Sequence, residues 1–152
     1  MSPVDDTVFS CLIDPPFLDA PSVAGVTVNN ITSYGYRRGN WLNITGASNQ
    51  FAVSNINYEM NDAGLATTGG FASLNLCTRC TISNFNINRV NGTLNAFLIT
   101  NSNVLISHGS MSANNGLPFD IQGTTGANEI HLDDIYVNGG ASDQIRVGSG
   151  VA

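Results

Sequence analysis

Apolar and polar positions alternate over short stretches of this chain, and the stretches recur. One six-residue pattern occurs five times: apolar, any residue, apolar, small or polar, Asn-like, apolar. It reads Val26-Thr27-Val28-Asn29-Asn30-Ile31, then Phe51-Ala52-Val53-Ser54-Asn55-Ile56 and Cys80-Thr81-Ile82-Ser83-Asn84-Phe85. Val104-Leu105-Ile106-Ser107-His108-Gly109 and Ile130-His131-Leu132-Asp133-Asp134-Ile135 complete the series. The fifth position falls at 30, 55, 84, 108 and 134, a nearly regular step. A second short strand stands between copies: Trp41-Leu42-Asn43-Ile44, Leu74-Asn75-Leu76, Phe97-Leu98-Ile99, Phe119-Asp120-Ile121 and finally Ile145-Arg146-Val147. Each alternates as a strand with one buried face does. Turn signals such as Gly69-Gly70, Asn91-Gly92, Asn115-Gly116 and Asn138-Gly139-Gly140 separate them.

A period of about 25 residues with two or three strands and tight corners describes one coil of a β-solenoid, whose core forms only when coils stack. The expected inward columns are Val28, Val53, Ile82, Ile106 and Leu132, then Ile31, Ile56, Phe85 and Ile135, with Gly109 a gap. Asn30, Asn55 and Asn84 should share one corner in left-handed backbone, which Asn tolerates, continued by His108 and Asp134. A β-sandwich with the same strand spacing is the competing fold.

Residues 1–22 differ from the rest. They hold four of the five prolines and four aspartates, with Val8, Phe9, Leu12, Ile13, Phe17 and Leu18 between them. Proline fixes φ and favours extended chain. We therefore expect an N-terminal arm at residues 1–22 ahead of a domain at 23–152. The arm either wedges beneath the first coil or straps onto another subunit. A solenoid leaves strand edges at its two ends, and no capping helix follows Arg146, so the C-terminal coil is expected either to be closed by a neighbouring copy or to be tolerated because it is fixed in an assembly.

Composition sharpens this picture. The 152 residues include 20 Asn, 16 Gly, 14 Ser and 12 Thr, but no Lys, five Arg, nine Asp and two Glu, for a net charge of −6. An acidic, Lys-free surface is a poor partner for nucleic acid or anionic lipid. No apolar run is long enough for a transmembrane helix, and Met1-Ser2-Pro3-Val4-Asp5-Asp6 lacks the basic start of a signal peptide. The Cys77-Thr78-Arg79-Cys80 pair lacks two further zinc ligands and a strand-to-helix context, so it reads as two buried residues at a β corner. No cofactor or metal is expected.

These motifs resemble the right-handed parallel β-helix of the pectate-lyase-like superfamily over residues 23–152. The resemblance implies an all-β, right-handed solenoid of about five coils, with the proline-rich arm in front. Enzymes of that superfamily cleave acidic polysaccharides, and hydrolases among them carry an Asp-Asp pair, a His-Gly and a later Arg-x-Lys. Here Asp133-Asp134 and His108-Gly109 occur in the reverse order and Lys is absent. Glycoside hydrolysis needs two facing carboxylates. Asp120, Asp62 and Glu59 supply no convincing partner for Asp134, so no catalytic residue is assigned and the chain is expected not to be an enzyme.

The same features resemble bacteriophage virion proteins. That resemblance implies a non-enzymatic, homotrimeric capsid decoration (cement) protein, assembled in the host cytoplasm and located in the virion. Its partners would be its own copies and the major capsid protein. Partner contacts are expected from Val8, Phe9, Leu12, Ile13, Phe17 and Leu18 of the arm. Tyr34, Tyr36, Arg37, Arg38 and Trp41 join them as the one cluster of aromatic and basic side chains, a composition favoured in interfaces. Two alternatives stand beside this reading: a tail spike or fibre adhesin binding host glycan, and a small polysaccharide lyase or hydrolase.

Overall fold

The computed structural model describes residues 18–21, 24–34, 41–45, 48–59, 70–90, 95–113, 117–123, 129–139 and 145–148. These form a parallel β-solenoid without a helix among them. One sheet has six strands in the order β1 (Leu18–Pro21), β3 (Leu42–Thr45), β6 (Ala72–Asn75), β9 (Phe97–Thr100), β11 (Phe119–Gln122) and β13 (Ile145–Val147). A second has five: β2 (Thr27–Tyr34), β5 (Ala52–Glu59), β8 (Cys80–Val90), β10 (Asn103–Ala113) and β12 (Glu129–Asn138). The short strands β4 (Ser48–Asn49) and β7 (Cys77–Thr78) pair as a third. All pairings are parallel, so the antiparallel sandwich is excluded for these residues.

The registers stack like residues over like. Val28 pairs with Val53, Val53 with Ile82, Ile82 with Ile106, and Ile106 with Leu132. The neighbouring column runs Ile31, Ile56, Phe85, Gly109, Ile135. Between the columns lie Asn30, Asn55, Asn84, His108 and Asp134, all left-handed at φ 51–58°. This single residue turns the chain: two inward side chains stand three positions apart instead of two, so the strand bends and still buries both. The corner side chains also tie coils together. Asn55 Nδ2 donates to Asn29 Oδ1 at 2.8 Å and to Asn30 Oδ1 at 3.2 Å.

At Gly109 the expected gap is filled. A Cβ built there would overlap the ring of Phe85, which projects over it from the preceding coil. Volume missing from one coil is supplied by its neighbour, which keeps the core close-packed.

The other sheet contributes inward columns headed by Leu42 and Ile44. Leu42 continues through Ala72, Phe97, Phe119 and Ile145, and Ile44 through Leu74, Ile99, Ile121 and Val147. An aromatic series runs into the first of these columns. Trp41 stacks on Phe71 (centroids 5.0 Å apart), Phe71 meets Phe97 edge-on at 5.3 Å, and Phe97 stacks on Phe119 at 5.1 Å. Offset and edge-on pairs of this kind add about 0.5–1.5 kcal/mol each beyond burial.

Two expectations need adjustment. The strand read at Leu74-Asn75-Leu76 runs instead over Ala72–Asn75, and Leu76 is a left-handed corner (φ 58°) with its side chain exposed. Cys77 and Cys80 are buried as expected, and they are joined by a disulfide across the left-handed corner at Arg79.

Candidate functional site

The contact residues expected from the sequence divide three ways. Val8, Phe9, Leu12, Ile13, Phe17, Tyr36, Arg37 and Arg38 lie outside the described residues. Leu18 opens β1 in register with Leu42, so residues 18–21 of the expected arm run as a strand of the six-stranded sheet. Tyr34 ends β2 opposite Glu59. Trp41 is corrected: it is fully buried, packed on Phe71 and Tyr58, and has no side-chain surface to offer a partner. Aromatic-plus-arginine composition marks interfaces only when the ring stays outside. Here the ring is drawn into the aromatic series of the core.

Of the acidic and histidine candidates, His108 and Asp134 stand opposite each other at the corner of β10 and β12, while Asp120 lies on β11 of the other sheet. Asp133 and Asp134 are exposed on β12, a terminal strand of its sheet, and His108 is an exposed corner on β10. Asp62 lies outside the described residues, and Glu59 ends β5. Among the described residues, no three His, Cys, Asp or Glu side chains gather where they could hold a metal ion. No helix there is long and apolar enough to cross a membrane.

One carboxylate is buried among the described residues, that of Asp120 on β11. Arg146 on β13, its register partner, donates to it through Nε (3.0 Å) and Nη2. Gln122 Nε2 and Asn95 Nδ2 donate at 2.8 and 2.6 Å. The Arg146 hydrogen bonds hold the Asp120 carboxyl below its ordinary 3.8, against the opposing effect of burial, with Gln122, the Arg146 charge and Asn95 adding to the lowering. Such a carboxylate is a poor general acid, because it gives up its proton far below neutral pH. It fastens the last strand of the sheet.

The described residues form two concave surfaces. A depression of about 540 Å³ beside the Arg79 corner is lined by Thr78, Arg79, Thr81, Leu105, Glu129 and His131 among others. It mixes both charges and an exposed leucine. The other, of about 360 Å³, is lined among the described residues by the apolar side chains of Phe119, Leu132, Ile135, Val137 and Ile145. These belong to the inward columns of the last coil and the one before it. With no strand on the far side of β12 or β13 among the described residues, the core columns emerge at this end of the solenoid. Ile145 and Val147 are 49% and 57% exposed. The sequence pointed to an uncovered end here, but not to a cavity.

A third surface is the outer face of the five-stranded sheet beyond its corner. Asn86 Nδ2 donates to Asn57 Oδ1 (3.1 Å) and Ser110 Oγ to Asn86 Oδ1 (3.0 Å), while Ser112 Oγ bonds Asn88 Oδ1 at 3.0 Å. The Asn57–Asn86–Ser110 column ends on Tyr136, which is 67% exposed.

No protein-family model, no curated protein and no solved structure matches this chain.

Proposed function

We propose that the chain is a non-enzymatic structural protein of a bacteriophage virion. In this reading it is a homotrimeric capsid decoration protein with a right-handed, pectate-lyase-like solenoid. Its partners are its own copies and the major capsid protein, and it attaches through its N-terminal segment and the open C-terminal end. One observation carries the reading: the apolar cavity at β11, β12 and β13, together with the edges of β12 and β13 that no strand covers among the described residues. Parallel edges of this kind bind other chains unless something blocks them, and an apolar rim adds about 25 cal/mol per Å² covered. A particle component meets that demand by standing permanently against a neighbour. The Cys77–Cys80 disulfide fits a particle that reaches an oxidising medium once released from the host.

Sedimentation of the full chain tests self-association. The native protein should run as a trimer. Ile145→Asp/Val147→Asp should run as a monomer with an unchanged β-sheet spectrum. A native monomer at micromolar concentration contradicts the reading. Within purified particles the chain should match the copy number of the major capsid protein rather than appear a few times per particle.

The ladder ending on Tyr136 favours a second reading, a tail-spike adhesin that lays a host glycan along this amide- and hydroxyl-rich face and stacks a sugar on the ring. Binding on a glycan array, with a low copy number per particle, would select it.

A further inference from the structure

The depression beside the Arg79 corner is polarised. Two rows of side chains cross it over three consecutive coils. Glu129 pairs with Asn103, and Val104 with Cys80, which sets Arg79 at the other end of the first row. His131, Leu105 and Thr81 stand in register in the second. Among the described residues, a guanidinium therefore lies at one end of this space of about 540 Å³, a carboxylate beside a histidine at the other, and a leucine between them.

The fold itself does not require these side chains. Ser48 pairs with Cys77 and Asn49 with Thr78, so Gln50 is the counterpart of Arg79 one coil earlier. Both are left-handed, at φ 57° and 55°, so the corner turns without a charge. Arg146 is held by Asp120, whereas Arg79 is exposed and forms no ion pair or side-chain hydrogen bond among the described residues. The outward column through Leu105 reads Thr27, Ala52, Thr81, Leu105, His131, and Leu105 alone in it is large and apolar. It is 40% exposed. The Cys77–Cys80 disulfide clamps this corner, where the preceding coil has Ser48 and Phe51. A corner held in one conformation loses less freedom when a ligand binds.

We propose that this depression binds a segment of another protein in the polyproline II conformation, carrying an acidic and a basic side chain three residues apart. The acidic group pairs with Arg79, whose planar fork suits a carboxylate. The basic group meets Glu129, and an apolar residue between the two covers Leu105. The spacing follows from the coil repeat. Arg79 and Glu129 stand two coils apart, about 10 Å. A polyproline II helix advances about 9 Å in three residues and returns to the same face, whereas an extended strand puts residues three apart on opposite faces. Opposite charges at the two ends also select against a ligand of one sign, since Glu129 repels a polyanion and Arg79 a polycation. Within this chain an acidic residue stands three positions from an arginine only at Asp143 and Arg146, and Arg146 is already held by Asp120. The partner is therefore a different protein. The inference does not depend on the virion reading.

Titration of the full chain with capped, proline-rich peptides tests it, followed at the Leu105 methyl resonances. Each peptide carries one Glu and one Lys, spaced by two, three or four positions, in both orders. In one order the spacing of three should bind about fivefold or more tighter than the other two. That advantage should vanish in Arg79→Gln and in Glu129→Gln. Arg79→Gln should keep its fold, because Gln50 turns the equivalent corner. A hexuronate disaccharide, titrated in parallel, should bind more weakly than the best peptide. Absence of binding by every peptide overturns the proposal, as does equal binding at all spacings or an advantage that survives Arg79→Gln. Tighter binding of the disaccharide, lost in Arg79→Gln, would make the depression a site for acidic sugars and overturn it too.

Discussion

At the scale of single residues, the fold depends on left-handed corners. An L-residue in that conformation costs roughly 1–2 kcal/mol, and Asn or Asp recover part of it through local hydrogen bonds. The main corner uses Asn or Asp in four of its five described positions, with His108 the exception. Other corners are less well matched. Gln50, Leu76 and Arg79 are left-handed without that advantage, and Leu76 is 45% exposed, so its side chain gains little by packing. Leu76→Asn should therefore stabilise the protein by about 0.5–1 kcal/mol, raising Tm by about 2–4 °C. A calorimetric Tm at or below the native value would contradict this. The same residue marks where the sequence stops being legible. Leu74-Asn75-Leu76 alternates whether the strand continues through position 76 or ends at 75, because alternation records side-chain type and not the sign of φ. The Asn corner was readable because its residue type advertises the conformation.

At the scale of elements, periodicity made the long strands visible and left short or cross-coil features hidden. The columns through Val53, Ile82 and Ile106 could be written down from spacing alone, since each copy carries the same six-residue pattern. The two-residue strands β4 and β7 are too short to show a period. The Asp120–Arg146 pair joins adjacent coils and emerges only once the register of β11 and β13 is known. Its consequence is a pH dependence with a definite sign. The folded pKa of Asp120 lies below 3.8, so the unfolded chain takes up the proton first as pH falls. The stabilisation is complete well above pH 3.8 and is lost as pH drops below it through the native value. Asp120→Asn imitates the protonated form. The urea midpoint of native protein should exceed that of Asp120→Asn by the same margin at about pH 7 and about pH 5.5, and by less at about pH 3. A margin that stays constant or grows in acid would show that the carboxylate charge contributes nothing.

At the scale of the whole molecule, a solenoid is a one-dimensional stack, and each coil is stabilised by the coils on its two sides. Stability should therefore vary along the axis. Ile82 lies in the middle of its column and is 1% exposed, with Val53 below and Ile106 above. Truncating it to Ala removes buried methylenes from a site that cannot collapse, which costs about 2–5 kcal/mol. Leu132 occupies the same column on the terminal strand β12, lines the open cavity and is only partly buried. In an isolated chain Leu132→Ala should cost clearly less than Ile82→Ala. If another copy closes this end, Leu132 becomes a central residue in the assembly and its truncation removes binding energy too. That contribution grows with protein concentration by mass action, whereas the cost of Ile82→Ala within one chain does not. Melting both variants and the native chain over a wide concentration range separates the cases. The Tm gap between native and Leu132→Ala should widen as concentration rises, while the Ile82→Ala gap widens little by comparison. A Leu132→Ala gap independent of concentration would mean that this end is not closed by a copy of the chain. The apolar cavity would then need a different partner or none.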